Sequence, residues 1–260
     1  MSIERMENKA TPKGENNAFS LTENIQCTVI GDRGVGKTSL LLSYQTDTFS
    51  SEYIPTSWDN YTKQTVYKDK RVNLSLVDIG GFDIGEQKLD KDEHYGIINK
   101  LLGTDVILLC FSIDNLNSFE NVSKQWVHQI LNYYISLSED NVDSSSPEES
   151  QVNSDFVLPI MILVGCKGDK RIQKPVLDAI EARRQYSDTS PFYVPDNSSP
   201  NPKTRSIIAT REATKISKAL RAYTYMECCS RWGTGINEIF NVAIKSVLER
   251  REYISLQRFI

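Results

Sequence analysis

Residues 31–38 read Gly-Asp-Arg-Gly-Val-Gly-Lys-Thr, the spacing G-x-x-x-x-G-K-[ST]. They follow the run "CTVIG", which reads as a strand, and lead into "KTSLLLSY", which has helical spacing. Each part of this strand–loop–helix has a physical reason. The glycines let backbone N–H groups point inward around phosphate oxygens, and a helix opening at Lys37 adds its N-terminal dipole. Lys37 reaches the β- and γ-phosphates as a point charge, and the Thr38 hydroxyl ligates Mg²⁺. The bare pattern also fits an ordinary glycine turn; the strand before it and the helix after it favour phosphate binding. The candidate phosphate-binding residues are Arg33, Gly34, Val35, Gly36, Lys37, Thr38 and Ser39.

The rest of the chain suits such a loop. "VNLSLVDIG" alternates, with Val72, Leu74 and Leu76 in phase, and "NYTKQTVY" is rich in β-branched residues. "DVILLCFSI" and "VLPIMILVG" are continuous apolar runs, as expected of strands buried on both faces of a parallel sheet. A sixth strand fits "YTYMEC". Helical character spans 115–136, and a last helix fits Gly235 to about Arg251, with Ile236, Ile239, Phe240, Ala243, Ile244 and Val247 on one stripe. The expected fold class is therefore α/β, with a six-stranded, mostly parallel sheet flanked by helices. Asp78, closing the third strand, suits the acidic residue that holds Mg²⁺ in phosphate-loop proteins.

Residues 1–23 are polar and aperiodic and read as a mobile tail, 24–251 as one domain, and 252–260 as a short second tail. Two insertions, 137–155 (acidic, serine-rich) and 185–205 (proline-rich), read as loops. A net charge of -4 argues against a nucleic-acid partner. No run is long and apolar enough to span a bilayer, and the polar N-terminus is unlike a secretory signal. The five cysteines, none at zinc-site spacing, read as buried reduced thiols of a cytoplasmic protein.

At "FSSEYIPTSWDNY", residues 49–61, the chain resembles the switch I region of the Rho/Rac branch of the small GTPases. The likeness continues through "VNLSLVDIGG", "DVILLCFSIDNLNSFENV" and "ILVGCKGD" and covers about residues 24–250 apart from the insertions. It implies a small G-domain that binds GTP or GDP with Mg²⁺. Thr56 matches the threonine whose hydroxyl ligates Mg²⁺ and whose N–H meets the γ-phosphate, so that the segment orders only with GTP. The implied metal set is Thr38, Thr56 and Asp78. Phe49 matches the aromatic on the guanine and Tyr53 the tyrosine beside the phosphates, and Gly81, in "DIGGF" where the family has D-T-A-G-Q, joins the implied nucleotide-binding residues. Lys167 and Asp169 match the guanine-reading motif, in which the carboxylate accepts from the base N1–H and amino group while the lysine stem lies over the ring. Cys229 and Ser230, in "ECCS", match the last base-contacting loop. Residues 53–61 match the effector-contacting stretch, and switch II the exchange-factor surface. "KPVLDAIEARRQ", 174–185, fits the extra helix of Rho proteins.

The chain also departs from the family. Arg33 stands where the family has glycine, crowding the γ-phosphate and the path of an activating protein's arginine finger. Phe82 replaces the glutamine that orients the attacking water and has no donor or acceptor with which to do so. Residues 83–104 are longer than an ordinary switch II, and Gln87 or Arg33 are the remaining candidates for a catalytic role. The chain ends "LERREYISLQRFI" without a prenylation cysteine, and Met1-Ser2 does not fit myristoylation, so no direct lipid anchor is expected, and any membrane or cytoskeletal location would come through partners. Three expectations remain open at this point: a switch that holds GTP and hydrolyses it slowly, an active GTPase of unusual catalytic geometry, and a pseudo-GTPase interaction module.

Overall fold

The computed structural model describes residues 20–48, 58–79, 101–140, 157–171 and 207–257. Its strands are β1 (Ser20–Gly31), β2 (Trp58–Tyr67), β3 (Lys70–Ile79), β4 (Val106–Ser112), β5 (Ile160–Cys166) and β6 (Thr224–Glu227). They form one sheet in the order β2-β3-β1-β4-β5-β6, parallel except for the antiparallel pair β2–β3. That pair turns at Lys68 and Asp69, both in the left-handed region (φ 46° and 64°), as a two-residue hairpin requires.

The helices are α1 (Lys37–Thr46), α2 (Leu116–Asn121), α3 (Val127–Asp140), α4 (Thr210–Ala219) and α5 (Ile236–Gln257), with a π turn at Val122–Trp126 joining α2 to α3. They cover both faces of the sheet. On one face Val106, Leu108 and Cys110 of β4 pack with α1 and α5; on the other Ile107, Leu109 and Phe111 pack with Trp126, Ile130 and Ala213. Successive residues of β4 point to opposite, equally apolar layers, which is why its sequence does not alternate. Between α1 and α5, Tyr44 stacks on Phe240 with ring centroids 3.8 Å apart.

Three expected boundaries shift. The expected tail 1–23 gives way to β1 at Ser20, whose Glu23 faces Val72 and accepts from Arg251 at 2.9 Å. The expected loop 137–155 begins later, because α3 continues to Asp140. The expected tail 252–260 is helical as far as Gln257. Arg250 and Arg251 anchor the end of α5 on Leu158 O, Asp105 and Asn24 O, and the helix continues beyond them through Gln257. The proposed extra helix at 174–185 and the insertion at 185–205 lie outside the described residues.

Candidate functional site

The phosphate loop begins where β1 ends. Gly31 has φ 148°, and a Cβ there would lie 2.1 Å from Cys110 O on β4, so only glycine lets the chain leave the sheet at this point. Gly36 caps α1 with φ 116°, and a Cβ there would press within 3.3 Å of the Cys166 Cβ. Between them the chain wraps around Lys37, whose Nζ donates to Gly31 O at 2.9 Å and Asp32 O at 2.8 Å. Lys37 is only 5% exposed. Burial pushes its pKa down, against the pull of Asp78, the neighbouring thiols and Asp32. A lysine so far from water, at the head of a helix, suits an anion brought into the cradle.

Thr38 follows on α1, and its Oγ1 donates to Asp78 Oδ2 at 2.5 Å. Asp78 is fully buried near the end of β3. A hydroxyl and a carboxylate set side by side below the loop form a hard, all-oxygen donor pair, the chemistry that Mg²⁺ prefers. The residues present therefore fit both phosphates and the ion.

At the far end of the same sheet edge, Asp169 follows β5 and is 7% exposed. Cys229 Sγ stands 3.7 Å from its Oδ1. Lys167 adopts φ 63°, a strained conformation for a residue with a side chain and one common at binding sites. Gly168 N–H donates to Cys228 O at 2.8 Å, which locks the two loops together. Ser230 opens the 3₁₀ turn Ser230–Trp232. A cleft lined by Asp114, Asn115, Leu116, Asn117 and Lys167 opens beside them.

Residues 26–249 match the Ras family. The chain belongs to the Ras family. Ras-family proteins are small GTPases that bind GTP and GDP, generally with Mg²⁺, and interact with effectors and exchange factors. The six-stranded sheet with its single antiparallel pair is the family's G-domain fold.

Within this Ras-family domain the structure brings Lys37, Thr38 and Asp78 into one cluster and Lys167, Asp169, Cys229 and Ser230 into another. Gly34 and Arg33 sit on the outer turn of the loop, Val35 is buried beneath it, and Ser39 lies in the first turn of α1. Phe49, Tyr53, Thr56, Gly81, Phe82 and Gln87 lie outside the described residues. Of the effector-like stretch 53–61, the backbone from Trp58 onward belongs to β2, an edge strand. All five cysteines are buried and free, and Cys228 Sγ stands 4.0 Å from Cys166 Sγ behind the loops. Among the described residues no helix is long and apolar enough to cross a membrane.

Two groups that support the site were not found from the sequence. Arg171, just past Asp169, donates to both carboxylate oxygens of Glu227 at 2.5 and 2.7 Å, and also to Ile208 O. Tyr225 and Thr210 add hydrogen bonds to Glu227 Oε1. Glu227 leads directly into Cys228 and Cys229, so this fork holds the loops after β5 and β6 side by side. The second group is Asp32, inside the phosphate loop, with Asn121 and Trp126. The signal available for it was chemical: a carboxylate placed within an anion cradle needs partners elsewhere.

Proposed function

We propose that this chain is a Rho-like guanine-nucleotide switch that holds GTP and hydrolyses it slowly. The phosphates are bound by the N–H groups of residues 33–39 and by Lys37, and the ion is held by Thr38 and Asp78, joined by Thr56. When bound, Mg²⁺ neutralises charge on the phosphates. Asp169 accepts from the guanine edge, the Lys167 stem lies over the ring with Phe49 against the base, and the loop of Cys229 and Ser230 closes the pocket. Effector proteins are recruited through residues 53–61, and exchange factors through the lengthened switch II.

The observation that carries this reading is the combination of a well-built cradle with Arg33 exposed on its outer turn. Because the cradle is made of backbone groups, a side chain at position 33 leaves binding intact. It stands instead where water and an activating arginine would enter. Loss of arginine-finger access forfeits a factor of about 10³–10⁵ in rate. Phe82 in place of a water-orienting side chain acts in the same direction.

The test is the nucleotide carried by the purified full chain, with its GTP followed over time beside an Arg33→Gly, Phe82→Gln double variant. The expected result is GTP retained by the wild type and converted to GDP by the double variant. Wild-type turnover as fast as the variant's would overturn the slow-hydrolysis reading in favour of an active GTPase. A chain that holds no nucleotide in either form would be an interaction module.

A further inference from the structure

Asp32 is an acidic residue in a segment shaped to bind phosphate. Its carboxylate is held by two side chains of the α2–π-turn segment. Trp126 Nε1 donates to Oδ1 at 2.7 Å, and Asn121 Nδ2 donates to Oδ2 at 2.7 Å. Hydrogen bonds to an ionised acceptor are short and about twice as strong as neutral ones. Trp126 is 1% exposed, packed with Phe119, Val122 and Ile130 in the core layer on that face of the sheet. Its N–H is therefore aimed by the core.

The π turn explains how both donors reach one carboxylate. In an α-helix, residues five apart point about 140° away from each other. The i→i+5 turn at Val122–Trp126, closed by the Val127 N–H on Val122 O, brings residues 121 and 126 to the same side. Such turns are rare and collect at functional sites.

The main chain of Asp32 performs a second task, since its carbonyl is one of the two that hold Lys37 Nζ. Fixing its side chain therefore also fixes the peptide that locates Lys37. We propose that Trp126 and Asn121 are positioning residues for the nucleotide phosphates. They keep the Asp32 carboxylate out of the cradle, where it would repel phosphate, and they hold the loop in its anion-binding shape. This rests on the guanine-nucleotide reading above.

The experiment is the dissociation rate of a fluorescent GDP analogue from the full chain in Mg²⁺ buffer. The proteins are wild type, Trp126→Phe, Asn121→Ala, Asp32→Ala and the Trp126→Phe, Asp32→Ala double variant. Losing either donor is expected to speed dissociation about tenfold. With Asp32 already removed, Trp126→Phe is expected to add nothing, an outcome that a purely structural role of the indole would not produce. Asn121→Ala repeats the test away from the buried ring, should Trp126→Phe fail to fold. Unchanged rates in the single variants, or an equal effect of Trp126→Phe with Asp32 absent, overturn the inference while leaving nucleotide binding intact. A wild-type chain that retains no GDP overturns the nucleotide reading, and this inference with it.

Discussion

Gly31 and Gly36 bracket the phosphate loop, and the structure separates their duties. At Gly31 an added methyl meets a backbone oxygen of β4, which cannot move without opening the sheet. At Gly36 it meets the Cβ of Cys166 at 3.3 Å, a milder contact that a shift of a few tenths of an ångström would relieve. Both carry positive φ, which costs an L-residue roughly 1–2 kcal/mol. Gly31→Ala is therefore expected to lose more than about 3 kcal/mol of stability. Gly36→Ala should stay near the conformational cost alone, with its larger effect on nucleotide affinity. Urea unfolding of the two variants, each with its GDP affinity, checks the order; equal losses would mean that the Cys110 contact yields.

At the scale of elements, the fork between Arg171 and Glu227 joins the end of β5 to the end of β6. Burial pushes the Glu227 carboxyl up, but hydrogen bonds from Arg171, Tyr225 and Thr210 outweigh it and hold the pKa below its ordinary 4.5. A carboxylate lowered on folding stabilises the protein above its unfolded pKa. That contribution disappears as pH falls through the lower, folded value. Glu227→Gln should thus be less stable than wild type near pH 7, with the gap narrowing as pH falls below the ordinary carboxylate range. Unfolding midpoints across that range measure it, and a constant gap would deny the carboxylate its role. Neither partner of this fork stands out in the sequence, because a salt bridge between residues 56 apart leaves no local pattern. The strands were legible for the opposite reason: Val72, Leu74 and Leu76 alternate, and β4 and β5 are almost wholly apolar. The π turn was hidden because "VSKQW" keeps a helical composition and only its register changes. Helix α4 carries its signal in Ala213, Ile216, Ser217 and Leu220, but polar residues thin that stripe, and it follows a long proline-rich stretch. In the candidate site, Lys37 and Thr38 are marked by the spacing of the phosphate loop and Asp78 by its place at the end of a strand, whereas Asp169 is marked only by the resemblance to small GTPases. Asp32, Asn121 and Trp126 were not legible, because their partnership exists only after the sheet has folded.

For the whole molecule, the sheet order explains why the candidate site spans so many segments. From β1 the chain turns towards β3 and β2 on one side, and later crosses to β4, β5 and β6 on the other. In open parallel sheets, ligands bind at the carboxyl ends of strands beside such a reversal. Gly31–Thr38, Asp78, Asp114, Asp169 and Cys229 all stand at or just beyond the carboxyl ends of their strands. A ligand spanning the phosphate loop and Asp169 would tie β1, β3, β5 and β6 together and stabilise the domain as a unit. At about 100 times its dissociation constant, a ligand adds about 2.7 kcal/mol. For a domain of this size that raises the melting temperature by roughly 5–10 °C. The expected outcome is such a rise with GDP and Mg²⁺, and little with ADP at the same concentration. Adenine offers Asp169 no matching pair of donors. Equal shifts would leave the phosphate cradle standing and remove Asp169 as a reader of guanine. A shift with neither nucleotide would leave Lys37 buried in a cradle without its anion, and the domain would then act through its surfaces alone.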